Sequence, residues 1–366
     1  MSRVNAEQRP RAGPLQLTLR QPQPDFSEQD GMNSHSARIR RLAALLGFVL
    51  FAAPAAAIIE MTPDFERAML AGQYERALIL AKRLAEENPK STIVAYNVGC
   101  VLSRLGEKDE AIRWLMRSAE NGFSGVRSLE TDEDLAGVRD HEGFAAVLER
   151  VNANVAERFE RFKQAAREAE PVVKLPQRFD AKTPTPLIIA LHGTGGDGAQ
   201  MARLLERPAR EVGAILIAPD ALRPSGPGYS WTYRDESEWL VLKMIQDARS
   251  KWNVGPVILV GYSQGANIAL AMGQTHPTEF AGVIPVAGHY EADLAEAPRE
   301  GDRPRWCLLI GARDEWAKTY EAAEEAFEEA GMAVHRYEIP GMGHSFPSGP
   351  RGERMLVEAL EWVMER

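Results

Sequence analysis

Cysteine is scarce, with only Cys100 and Cys307 in 366 residues. A disulfide-dense scaffold is therefore excluded, and without a Cys-x-x-Cys or His-Glu-x-x-His spacing no metal site is expected. Both thiols fall in apolar surroundings and read as small buried hydrophobes. Positive charge is also short: 43 Lys and Arg stand against 52 Asp and Glu, a net charge of −9. Neutralising phosphates needs a basic surface, so no nucleic-acid partner is expected. Apolar residues are not short; at 45% hydrophobic and 26% charged, disorder of the whole chain is excluded. The length suggests about two domains.

Only one long uncharged apolar run occurs, Leu42 to Ile59, and it follows Arg38, Arg40 and Arg41. The 37 residues before Arg38 are polar and broken by Pro10, Gly13, Pro14, Pro22, Pro24 and Gly31, so they read as disordered. A basic stretch, an apolar stretch and the small residues Ala55-Ala56-Ala57 have the layout of a secretory signal peptide over about 32–57, starting at Met32. Cleavage after Ala57 would give an exported chain, periplasmic or secreted, with no membrane span left. The alternative is an uncleaved anchor, for which a run of about 18 residues is barely long enough. Pro54 and the alanines favour cleavage. The leader, 1–57, holds seven Arg and four acidic residues, so the remaining chain carries −12.

From 58 to 168 a period appears. Gly72-Gln-Tyr74-Glu-Arg-Ala77 and Gly106-Glu-Lys108-Asp-Glu-Ala111 are offset by 34 residues, with Gly at a helix turn and Ala where helices touch. That is the pattern of tetratricopeptide repeats, an all-α array. Val98, Leu102, Leu105, Ile112 and Leu115 supply its buried face. Asn121 to Phe144 resembles an irregular end cap, and the charged stretch Glu157–Glu170 reads as a solvated helix and linker ended by Pro171. Such an array offers a groove to a peptide or protein partner; two repeats are also few enough simply to pack on the following domain.

Over 171–366 the rhythm changes to short apolar runs alternating with helical patterns. Strands are expected at Leu187–Leu191, Ala214–Ala218, Val257–Val260, Gly282–Val286, Trp306–Ile310 and Val334–Ile339. Helices are expected at Gly198–Val212, Glu236–Trp252, Gln264–Gln274, Glu315–Ala330 and Gly352–Met364. The alternation predicts an α/β fold, a mostly parallel sheet with helices on both faces and ligands at the carboxyl ends of its strands.

One strand–helix junction reads Gly261-Tyr262-Ser263-Gln264-Gly265. A Gly-x-Ser-x-Gly turn holds its serine in strained geometry above the sheet, and the flanking glycines remove side chains that would clash. The Gln264 N–H then faces a developing oxyanion at the helix N-terminus. A serine nucleophile needs a base, and the base an orienting carboxylate. His344 lies in the glycine-flanked loop Gly341-Met342-Gly343-His344 after the last strand. His276 falls at a helix end, His289 too early in the strand order, and His335 within a strand. Asp314 follows the preceding strand, with Asp293 as runner-up and Glu315 as a local ambiguity; Ser263, Asp314, His344 is the α/β-hydrolase chain order. Leu191-His192-Gly193-Thr194-Gly195-Gly196 follows the first strand, making the Thr194 N–H a candidate second oxyanion donor. His192 reads as a structural turn residue.

The His-Gly-Thr-Gly-Gly loop, Gly261-Tyr-Ser-Gln-Gly-Ala-Asn-Ile-Ala-Leu270, Pro277-Thr-Glu-Phe280 and Gly-Met-Gly-His344 together resemble the phospholipase/carboxylesterase branch of α/β-hydrolases over about 186–366. The resemblance implies a Ser263 nucleophile, an Asp314 orienter, a His344 base and no cofactor. It implies small-molecule or polymer esters as substrates. The leader, the helical region and the Pro219–Tyr233 loop depart from that family. Tyr229, Trp231 and Tyr233 in the loop are candidates to line an acyl or aryl pocket, or to anchor the loop. The expected function is exported serine esterase; the alternatives are a serine peptidase, or a protein-binding repeat protein with secondary hydrolase activity.

Overall fold

The computed structural model describes residues 61–290 and 304–365. The leader, with the signal-peptide and anchor readings, lies outside the described residues, as does Asp293.

The chain begins with short amphipathic helices: α1 (Pro63–Leu70), α2 (Tyr74–Glu87), α3 (Thr92–Leu105) and α4 (Lys108–Glu120). Thr62 and Ser91 cap α1 and α3, their hydroxyls accepting from the N–H groups of Phe65 and Val94, which satisfies donors that a helix start leaves orphaned. Between α1 and α2, and again between α3 and α4, the chain reverses through Gly72 and Gly106, at φ 68° and 81°. These left-handed positions cost glycine little and other residues more, so the same residue recurs 34 positions later. Small side chains set the packing distance. A Cβ on Gly99 would stand 2.8 Å from Leu115 Cγ, and Ala77, Ala81, Ala111 and Ala119 are fully buried.

After α5 (Val126–Thr131), where the buried Asp132 accepts from the Tyr96 hydroxyl at 2.9 Å, comes the 25-residue helix α6 (Phe144–Glu168). Here the structure corrects the sequence reading. Glu157–Glu168 is helical as expected, the far half of α6, but it is not solvated all round: its inner stripe is buried. Val147 and Val151 belong to the core of the helical region, whereas Phe162 and Ala166 belong to the core around the sheet. Phe159 and Phe162 meet Trp239 edge-on at 6.3 and 6.1 Å. One rigid element therefore has a foot in each core.

The sheet has seven strands in the order β1-β3-β2-β6-β7-β8-β9. These are β1 (Val172–Lys174), β2 (Thr185–Leu191), β3 (Ile215–Ala218), β6 (Val254–Tyr262), β7 (Gly282–Val286), β8 (Arg305–Gly311) and β9 (Val334–Ile339). All neighbours run parallel except β1 on β3. Every residue of β3 and β7 is buried, as strands covered on both faces must be. Five helices interleave: α7 (Gly198–Glu211), α8 (Arg234–Lys251), α9 (Gln264–Thr275), α10 (Ala317–Glu329) and α11 (Gly349–Met364). Two elements escaped the sequence reading, the edge strand β1 and a hairpin of β4 (Pro224–Ser225) and β5 (Gly228–Tyr229). With two or three residues apiece, neither shows a period. β2 leads outward to β3 on one side and pairs with β6 on the other, so the order reverses between β2 and β6, where open parallel sheets place their crevice.

Candidate active site

The loops after β2 and β6 meet at that crevice. Ser263 occupies the turn from β6 into α9 with φ 52° and ψ −117°, a conformation that costs a non-glycine residue about 1–3 kcal/mol. Its neighbours show why the turn is glycine-flanked. A Cβ on Gly261 would lie 2.2 Å from Gly265 O, and one on Gly265 would lie 2.6 Å from His192 O. Both obstacles are backbone, which cannot swing aside. The Ser263 N–H is tied to Val286 O at 2.9 Å, which anchors the turn to β7.

The hydroxyl of Ser263 stands 2.9 Å from His344 Nε2, and His344 Nδ1 stands 3.0 Å from Asp314 Oδ2. Three segments thus converge from the carboxyl ends of β6, β8 and β9. The Asp314 side chain is fully buried whereas that of His344 is 38% exposed, so the carboxylate is shielded and the imidazole faces the crevice. The other Asp314 oxygen accepts from the Trp316 N–H at 3.0 Å, fixing the carboxylate. Glu315 points outward and is exposed. Of the other histidines the sequence offered, His276 bonds Thr275, His289 packs tilted against Trp316, and His335 lies in β9 beside Tyr337.

Gly193, in the loop after β2, backs onto the serine, and a Cβ there would come within 3.2 Å of Ser263 Cβ. Among the described residues the N–H groups of Thr194 and Gln264 have no acceptor. Free donors beside a hydroxyl can receive an oxygen that gains charge. His192 is fully buried, bonds Gly193 O through Nδ1 at 2.7 Å, and accepts the Ala221 N–H at Nε2 at 3.1 Å. One donor and one acceptor define a neutral imidazole. Burial holds its pKa below the ordinary value, in keeping with a structural turn residue.

The loop aromatics divide. Trp231 is 2% exposed; its indole donates to His192 O at 2.8 Å and its N–H to the Gln264 side chain at 2.8 Å. Committed to the His192 carbonyl and the Gln264 side chain, it anchors the loop instead of lining a pocket. Tyr233 lies away from the serine with its ring under the Arg158 guanidinium, 3.6 Å to the centroid. Tyr229 pairs with the glycine loop, its carbonyl accepting from the Gly195 N–H and its N–H donating to Gly196 O. The sequence reading missed Tyr262, whose ring packs 5.8 Å from that of His344 and edge-on to Phe346. Burial, and secondarily Asp314, pushes its phenol pKa up. Its only signal was its position inside the Gly-x-Ser-x-Gly turn. No group of three or more His, Cys, Asp or Glu able to hold a metal occurs among the described residues, nor does any helix long and apolar enough to cross a membrane.

Comparison with known proteins accords with this architecture. Residues 186–306 match the family model described as the alpha/beta hydrolase fold. The C-terminal part of the chain thus has the alpha/beta hydrolase fold, preceded by a helical region of about 100 residues. Similar solved structures include esterase PE8, 22% identical with a TM-score of 0.47, covering 54% of this chain and 99% of that one. An uncharacterized protein from Bacillus cereus is 16% identical with a TM-score of 0.46, covering 84% of this chain and 99% of that one. A carboxylesterase from Mesorhizobium loti is 20% identical with a TM-score of 0.43, over 49% of this chain and 90% of that one. No curated protein sequence matches the chain significantly.

Proposed function

We propose that the protein is a serine hydrolase that cleaves carboxylic esters through an acyl-serine intermediate. The observation that carries the reading is the unbroken relay of 2.9 and 3.0 Å contacts from Ser263 through His344 to Asp314, beside two unused N–H donors. In this reading Ser263 Oγ attacks the ester carbonyl while His344 Nε2 takes its proton. Asp314 holds Nδ1–H and stabilises the imidazolium. The tetrahedral oxyanion accepts from the N–H groups of Gln264 and Thr194. As the C–O bond breaks, His344 returns the proton to the departing alcohol. Water then gives a proton to His344 and attacks the acyl-serine, releasing the acid and restoring the serine. No cofactor enters these steps.

Export through the leader belongs to the same proposal and rests on the sequence pattern of residues 32–57. Reaction with a fluorophosphonate probe tests the nucleophile. The wild type should label and Ser263→Ala should not; equal labelling would sink the assignment. Nitrophenyl esters of increasing chain length, run beside aminoacyl-arylamides, separate esterase from peptidase.

A further inference from the structure

The seam between α6 and the sheet domain contains a cavity of about 240 Å³. Residues Arg150, Asn154, Glu157, Arg158 and Arg161 reach it from α6, a spacing of 4, 7, 8 and 11 residues that keeps one helix face turned to it. Asn121, Gly122 and Ser124 close it from the loop after α4, and Arg223 and Tyr233 from the sheet domain. It is smaller than the ~300–1,000 Å³ of sites for drug-sized ligands, so its occupant is small.

The donors are not all spent within the fold. Arg158 bonds Asp235 through Nη2 at 2.8 Å and Glu236 through Nη1 at 3.2 Å. Its Nε is buried without an acceptor, although the side chain is nine-tenths buried. A buried donor left unmade costs about 1–3 kcal/mol, which an acceptor in the cavity would recover. Arg161, one turn further along the helix, is exposed and has no ion-pair or hydrogen-bond partner among the described residues. Arg150 is already held by Glu157 at 3.3 Å, and Glu120 also faces the space. What the fold leaves unspent at the cavity is therefore one buried N–H, the Nε of Arg158, whose charge is paired with Asp235 and Glu236, and the whole guanidinium of Arg161.

The seam also touches the catalytic loops. Arg223, held on Glu236, lends its carbonyl to the Ser230 N–H at 2.8 Å, closing the β4–β5 hairpin. That hairpin grips the glycine loop through Tyr229 with Gly195 and Gly196, and a Cβ on Gly228 would lie 2.3 Å from Gly196 O. The contact is backbone on backbone, so a shift of Arg223 is passed on to the segment bearing Thr194.

We propose that this cavity binds a small doubly charged oxyanion, a phosphate or a dicarboxylate, on Arg158 and Arg161, and that its occupancy alters turnover at Ser263 through the hairpin. The binding half stands without the esterase reading; the coupling half rests on it. Isothermal titration of the full chain with inorganic phosphate and, separately, succinate, at ionic strength matched with sodium chloride, reads binding directly. Saturable one-to-one binding of either anion is expected, weakened at least tenfold in Arg161→Glu, whose exposed side chain the fold does not need. The anion that binds distinguishes phosphate from carboxylate ligands. Absence of saturable binding, or equal binding by the variant, overturns the site. Nitrophenyl ester turnover should change at least twofold on saturation in the wild type and not in the variant. Unchanged turnover with demonstrated binding overturns the coupling, whereas a wild type that neither turns over esters nor labels with fluorophosphonate in the absence of anion overturns the esterase reading, and the coupling with it.

Discussion

The two halves of the molecule are packed on opposite principles. In the helical region, alanines and a glycine let helices close on one another, and most contacts join helices that are neighbours in the chain. Around the sheet, β-branched and leucine side chains fill both faces, and the Ser263–His344 contact joins residues 81 positions apart. A neighbour in the first region is mostly a side chain, which can yield. At the serine turn it is backbone, which cannot. Tolerance to change should therefore differ sharply between the two, even at residues of the same type.

The largest effect expected is on chemistry. Ser263→Ala should lower ester turnover by roughly 10⁴-fold or more while leaving the melting temperature unchanged, because it removes one oxygen and no packing. Matched glycine substitutions come next. Gly265→Ala, against the carbonyls of Leu191 and His192, should cost about 3 kcal/mol and most activity. Gly99→Ala, against the buried side chain of Leu115, should cost about 1 kcal/mol and leave activity per folded molecule intact. Urea unfolding read beside ester turnover makes the contrast, and equal costs would break it. Arg158→Ala, at the join, should cost about 2 kcal/mol. That is less than the ~3–5 kcal/mol of a fully orphaned buried charge, because Arg223 stays on Glu236. Calorimetry should then show the helical and sheet regions melting apart.

The smallest effect is a pH slope. Burial lowers the pKa of folded His192 below the ordinary 6.5. As pH falls through 6.5 the unfolded histidine takes a proton that the folded one refuses, so the native state loses stability on the acid side. His192→Gln should flatten the fall in melting temperature between pH 6.5 and 5, and a wild-type slope in the variant would contradict the assignment.

Much of this was legible before any coordinates. Alternating apolar runs and helical patterns placed six strands and five helices within a few residues, because a sheet buried on both faces writes continuous Val, Ile and Leu. Ser263, Asp314 and His344 were legible because each follows a strand within a glycine-containing turn. The burial of the far half of α6 was not. Its buried stripe is Arg158, Phe162 and Ala166 among many charges, and the acidic partners of Arg158 lie 77 and 78 residues away. Trp231 and Tyr233 show a related limit: an aromatic in a proline- and glycine-rich loop announces that it will be buried, not which way it turns.

The long helix also sets an order of events during synthesis. The array that holds its first half is complete once residue 168 has been made, since none of its partners lies downstream. Phe159 and Phe162 must wait for Trp239. At ~5–20 residues per second, the roughly 80 intervening residues take about 4–16 s. Throughout that interval the nascent chain carries a finished helical platform with an apolar stripe projecting from it. A chaperone footprint on arrested chains ending near residue 200 should cover this stripe, and one on chains extended well past residue 290 should not. The feature that joins the two cores in the finished protein is thus the last part of the helical region to be sheltered while it is being made.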